Sequence, residues 1–141
     1  MAIWFGTPSL EDARRLGAGT MIEACGIEIT EFGDDWVKGR MPVDARTRQI
    51  SGLLHGGASC VLAETLGSWG SAMVIDQSKY YLVGVEINAN HERAVTDGHV
   101  HGIARPLHLG RTTHVWDIRI SNEAGKLVCI SRLTTAILKR G

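Results

Sequence analysis

The chain lacks any surplus of charge: fifteen basic residues balance fifteen acidic ones over 141 positions. Without a basic excess there is no electrostatic footprint for DNA or RNA, and no nucleic-acid partner is expected. Cysteine is scarce. Cys25, Cys60 and Cys129 are odd in number, widely spaced and free of any C-x-x-C motif, the pattern of reduced thiols in a cytoplasmic protein. The opening MAIWFGTPSLEDARRLG has no basic segment leading into an apolar one, so no secretory signal is expected. No repeat, low-complexity tract or Pro/Ser-rich linker divides the sequence, and residues 1–141 are expected to form one domain. The longest apolar run, Ala58 to Ile75, is interrupted by Glu64 and then by Thr65, Ser68 and Ser71, and it has no flanking basic anchors. A buried core helix is expected there, and no membrane partner. There is no G-x-S-x-G elbow, and no serine or cysteine stands in a motif that pairs it with a histidine, so the usual hydroxyl and thiol nucleophiles have no signature.

What is present reads as helix, two strands, long helix, then a run of strands. Ser9 can cap a short amphipathic helix with Glu11 and Asp12 in its first turn and Gly17 at its end. Residues 22–32 (IEACGIEITEF) alternate roughly, as a strand would. WVKGRMPV places Val37, Gly39, Met41 and Val43 on one face and Lys38 and Arg40 on the other. Beyond the apolar run, strand-like segments cover 80–91, 98–109, 113–121 and 126–138, the last two joined by an NEAG turn. His114, Trp116, Ile118 and Ile120 share one face of the third segment. Short connections predict an antiparallel sheet, and a helix apolar nearly all round must be enclosed by it. The expectation is an α+β domain, one long central helix wrapped by a curled antiparallel sheet.

A glutamate in the middle of that helix is costly unless it is paired or used. At helical spacing its neighbours are Gly57, Cys60, Gly67, Ser68 and Ser71, all small. Val61, Leu62, Leu66, Trp69 and Met73 are bulky and are expected against the sheet. A bland reading pairs Glu64 with a distant arginine and uses the small residues for close packing. The other has a reactant approach Glu64. LLHGGAS favours the latter, because glycines at a helix start leave N–H groups pointing along the axis at the positive end of the dipole. Such donors suit a carbonyl oxygen that gains charge during acyl transfer, with Glu64 as nucleophile or base.

MPVDARTRQ, GLLHGGAS, LAETLGS, VGVEINANH, PLHLGR and SRLTTAIL run in order from residue 41 to the end of the chain. In these stretches the sequence resembles the hotdog-fold acyl-CoA thioesterases of the phenylacetate-pathway and 4-hydroxybenzoyl-CoA type. The resemblance implies hydrolysis of an acyl-CoA, with an aromatic acyl group as the expected substrate. Glu64 would be nucleophile or general base, and the Gly56 N–H would polarise the thioester carbonyl. Gln49 and His55 would line the thioester, and Ser68 would support the attacking water. Substrate and coenzyme A contacts would come from Gly84, His91, Glu92, Arg93 and Ala94, and from His108, Leu109, Gly110, Arg111, Thr112 and Thr113. No metal or redox cofactor is implied, coenzyme A being part of the substrate. An acyl carrier protein could present the same thioester.

Other readings stay open at this stage. Within the same fold the chain could be an acyl-thioester dehydratase or a non-catalytic acyl-CoA-binding module. A dehydratase would pair a histidine with an acid, whereas here the acid stands with an N–H donor. His99, His101 and His108, with His91 or His114, could ligate a metal inside a barrel, although no carboxylate follows at ligand spacing. One geometric consequence is independent of family. If 56–64 is helical, Gly56 and Glu64 lie about 12 Å apart along the axis, yet both must come within roughly 3 Å of one thioester. Two antiparallel helices about a twofold axis satisfy this, with Gln49 and His55 travelling with Gly56, and Ser68 with Glu64. A homodimer at minimum is expected, and a homotetramer as a dimer of dimers.

Overall fold

The computed structural model describes all 141 residues. Helix α1 (Leu10–Gly17) starts on Ser9, whose hydroxyl accepts the Asp12 N–H. The chain does not then run straight into a strand. Thr20 caps a second, four-residue helix, α2 (Met21–Ala24), and Gly26 turns the backbone at φ 71° into strand β1 (Glu28–Phe32). The alternation expected from residue 22 therefore belongs only to its end, where Ile27 and Ile29 are buried; Ile22 sits on a helical turn instead.

Strand β2 (Val37–Pro42) leads through a loop to helix α3 (Gly56–Val74), followed by β3 (Tyr80–His91), β4 (His99–Leu109), β5 (Thr113–Ser121) and β6 (Leu127–Lys139). The strands form one antiparallel sheet in the order β1-β2-β4-β5-β6-β3. In the β5–β6 hairpin the Asn122 carboxamide oxygen accepts the Ala124 and Lys126 N–H groups, and Gly125 takes φ 78°. This is the expected α+β arrangement, a hotdog fold with α3 held in the concave face of the sheet.

The close approach of α3 to the sheet has a local cause. Gly39 of β2 and Gly102 of β4 are register partners, and a Cβ on either would stand 2.7 Å from a Leu66 methyl. The missing side chains let the helix sink onto the sheet. Leu62, Ala63 and Leu66 have no exposed surface, nor do Val37, Met41, Val100, Trp116, Ile118, Ile120 and Leu133. A continuous core of this size supplies the main driving force for folding.

The faces of α3 differ from expectation in two respects. Gly67 and Gly70 are small because Leu133 and Trp116 press on them, with Cβ positions 2.6 and 2.5 Å from those side chains. Of these two only Gly67 belongs to the stripe around Glu64, and for it the close-packing explanation is correct. Conversely, Trp69 and Met73 are only half-buried and line a cavity, although Trp69 also packs against the core. No helix is long and apolar enough to cross a membrane. The three cysteines are unpaired.

Candidate active site

Glu64 is half-buried on α3 and makes no hydrogen bond or ion pair with any group of the chain; the arginine partner of the bland reading is absent. Its Oε2 lies 2.6 Å from where a Cβ on Gly84 would be, so the carboxylate rests against bare backbone of β3. At that point a bulge shifts the β3–β6 register between Gly84 and Glu86. Glu64, Thr65 and Ser68 form one side of a cavity of about 620 Å³ whose apolar walls include Leu16, Ile22, Trp69, Met73 and Leu82. Its volume suits a small-molecule acyl group. Asp12 and Leu16 come from α1, and nothing in the sequence placed that helix beside Glu64. An amphipathic helix reports that it has an apolar face, not what the face covers.

The start of α3 is a separate locus. His55 caps the helix: its Nδ1 accepts the Gly57 N–H at 2.8 Å, and its carbonyl accepts the Ala58 and Ser59 N–H groups. Only the Gly56 N–H is left without an acceptor in the chain. The His91 ring lies beside Gly56, since a Cβ there would stand 2.7 Å from Nε2. Gln49, Gly56, His91, Glu92, Arg93 and Ala94 line one cavity of about 400 Å³. The Gln49 side-chain oxygen Oε1 accepts the Ser51 and Leu53 N–H groups and shapes the preceding loop, which leaves its side-chain N–H₂ as a donor. The His55 ring instead lines a different, smaller cavity with Cys25, Arg46 and Arg48. Free donors and a positive dipole end can receive an oxyanion; a solvent-reachable carboxylate can take a proton or attack a carbonyl carbon.

The remaining site candidates do not join either cavity within one chain. His108, Leu109, Gly110, Arg111, Thr112 and Thr113 form the β4–β5 turn, where Gly110 N–H donates to Thr113 O. Thr113 stands level with Val83, because both pair with Ala136. His91 is roughly 25 Å further along β3. A single chain therefore holds the 91–94 and 108–113 segments at opposite ends of the sheet.

The histidines do not converge on a point. His99 and His101 share a face with ring centroids 6.5 Å apart, and His101 Nε2 meets Glu123 Oε1 at 2.5 Å. That pairing lowers the Glu123 pKa, the hydrogen bond from His101 being the main cause. A carboxylate does reach the cluster, contrary to the spacing, but from the hairpin turn rather than from β4. No three His, Cys, Asp or Glu side chains form a metal-binding group. His114 is buried on the inner face, where its Nδ1 lies 3.0 Å from the Ser71 hydroxyl.

Residues 51–129, which carry both the glycine turn and Glu64, match the thioesterase superfamily. The chain belongs to that superfamily. It is similar to the proofreading thioesterase EntH of Cronobacter turicensis, with 48% identity over 96% of this chain and 98% of EntH. The 1,4-dihydroxy-2-naphthoyl-CoA hydrolase of Escherichia coli K12 is likewise 48% identical, over 96% of this chain and 99% of that one. Among solved structures, a mutant thioesterase PA1618 from Pseudomonas aeruginosa superposes with a TM-score of 0.97 at 49% identity, covering 99% of this chain and all of the other. This superfamily member is a thioester hydrolase with the hotdog fold.

Proposed function

We propose that this thioesterase hydrolyses an acyl-CoA with an aromatic acyl group to the free acid and CoA, at a site shared between two subunits. The observation that carries the proposal is the separation, along one rigid helix, of an unpartnered carboxylate from an unpartnered N–H donor. Glu64 and Gly56 have complementary tasks, yet they are about 12 Å apart in one chain. Antiparallel pairing of two α3 helices about a twofold axis brings Gly56 of one beside Glu64 of the other, twice per dimer. Strand β3 supports this pairing. It is a twelve-residue edge strand with Tyr81, Val83 and Val85 exposed, an edge that soluble proteins cover or pair. The same twofold places the 91–94 segment of one chain with the 108–113 segment of the other, as one CoA would require. A homodimer is the minimum assembly, and a homotetramer follows by stacking two dimers.

In the reaction, the thioester oxygen accepts the Gly56 N–H as negative charge develops on it, with the Gln49 amide as a further donor. Glu64 has two routes. As general base it takes a proton from a water that attacks the carbonyl carbon; Ser68, one turn along, hydrogen-bonds that water. As nucleophile it forms an acyl anhydride that water then hydrolyses. In both, the C–S bond breaks, CoA leaves as the thiolate and is protonated, and the carboxylate is regenerated. No metal or redox cofactor takes part. The aromatic assignment is supported by the broad cavity beside Glu64, with Trp69 in its wall, and by the naphthoyl substrate in the name of the E. coli relative.

Subunit mixing tests the shared site. Glu64→Gln chains and Gly56→Val chains are each expected to be inactive alone. Equal mixing and exchange should restore about a quarter of wild-type thiol release, since half the dimers then hold one intact site of two. Proven exchange without any return of activity contradicts the shared site, as does an active monomer.

A further inference from the structure

The cavity beside Glu64 ends at a wall with a second cavity behind it. That second space, about 370 Å³, has Ala13, Ile27 and Ile29 as apolar lining and Arg14, Glu23 and Glu28 as charged lining. Only Ile22 and Trp69 line both cavities. The two side chains are thus a partition, and joining the spaces would enlarge the compartment beside Glu64 by more than half. The partition is held by packing alone. The indoles of Trp4 and Trp116 donate to Gly33 O and Ser71 Oγ at 2.7 and 2.8 Å. The Trp69 N–H donates to no group of the chain, so displacing its ring breaks no hydrogen bond. Ile22 is carried by α2, a single helical turn packed on the end of α1.

We propose that Ile22 and Trp69 set the upper size of the acyl group, and that the cavity behind them is a second acyl compartment able to take a linear chain. This rests on the cavity beside Glu64 being the acyl site. A flat ring fits within the first compartment without displacing the indole. A linear chain that reaches the partition gains the space behind it to bury its end. Ala13, Ile27 and Ile29 in the lining of the second cavity suit the methylenes.

The test compares benzoyl-CoA with decanoyl-CoA for wild type, Ile22→Ala and Trp69→Leu, with melting curves to confirm folding. Thiol release provides kcat/KM. Titration calorimetry on the same substitutions in a Glu64→Gln background provides Kd without turnover. Both variants are expected to raise the decanoyl-to-benzoyl ratio by about tenfold or more, the scale on which an apolar pocket discriminates size. The Kd ratio should move the same way. A ratio unchanged within about threefold, or a parallel loss on both substrates, overturns the partition. If one variant does not fold, the other decides, and Ile22→Val offers a smaller step in the same direction. Failure of the catalytic reading looks different: Glu64→Gln would keep its turnover, while the binding ratio would still report on the wall.

Discussion

Glu64 and Ser71 lie two turns apart on α3, and their polarity is treated in opposite ways. Ser71 is fully buried, and its hydroxyl meets Trp116 Nε1 at 2.8 Å, Thr135 Oγ1 at 2.9 Å and His114 Nδ1 at 3.0 Å. Each of those partners is itself buried. Glu64 is charged, more expensive to desolvate, and has no partner in the chain. A polar group that the chain satisfies from every side stabilises the fold, whereas one left free at a cavity wall is available to a reactant. The chain as a whole leaves no enclosed side-chain polar atom unsatisfied, so the isolation of Glu64 is not part of a generally loose interior.

The sharpest way to break this contrast is to remove the charge at Glu64. Glu64→Gln should lower kcat at least about a hundredfold, the scale of a lost acid–base group, and leave the melting temperature within a few degrees of wild type because no partner is lost. Near-normal thiol release would remove Glu64 from the chemistry. Ser71→Ala should do the reverse. Leaving the Trp116 N–H and its neighbours without their shared partner is expected to cost roughly 2–3 kcal/mol, seen as a melting point lower by roughly 5–10 °C, with kcat nearly unchanged. Equal melting curves for Ser71→Ala and wild type would show that the buried cluster does not matter to stability.

Gly84→Ala is a subtler probe of the same carboxylate. The new Cβ would stand 2.6 Å from Glu64 Oε2, so the end of that flexible side chain must shift. A misplacement of this size should lower kcat roughly tenfold, with little change in melting. Unaltered turnover would mean that the position of the carboxylate against β3 is unimportant.

The smallest effect should be a pH dependence at the buried cluster. Burial pushes the His114 pKa below its ordinary 6.5, and nearby His108 adds to the depression. Above 6.5 the ring is neutral in both folded and unfolded chains, and its share of stability is fully present. As pH falls below 6.5 the unfolded chain takes up the proton first, and stability is lost progressively until pH passes the lower folded value. The carboxylates held low by their partners, Asp44 at about 2 and also Asp76 and Glu123, lose their contribution only at more acidic pH, below their ordinary values of 3.8 to 4.5. Melting curves between pH 7 and 5 should therefore fall with acidification, and less steeply in His114→Gln. An unchanged slope in that variant would assign the fall to other groups.

Much of the fold could be read along the chain because its signals are local. The alternation of His114, Trp116, Ile118 and Ile120 fixes which face of β5 is inward, and all four are buried. Ser9, Gly125 and Asn122 act within a few residues of themselves, as caps and turns do. The error at residues 22–26 has the same origin: a Thr20 cap and a positive-φ glycine make one helical turn too short to leave a period. A lone carboxylate inside an apolar run, and a glycine pair at its start, are equally local, so Glu64 and Gly56 stand out in the sequence itself.

The order of the strands and of the long helix, the inward faces of the strands and the anomaly at Glu64 are legible along the chain, because periodicity and the cost of a buried charge depend on residues close in sequence. What surrounds that anomaly is set by long-range packing. It placed α1 and Ile22 at the cavity beside Glu64, bared the Gly84 backbone to the carboxylate, and gathered Ser71, His114, Trp116 and Thr135 into one buried cluster. These contacts join residues far apart in sequence. They arise from how a curled sheet closes around a helix, and no local period encodes that closure.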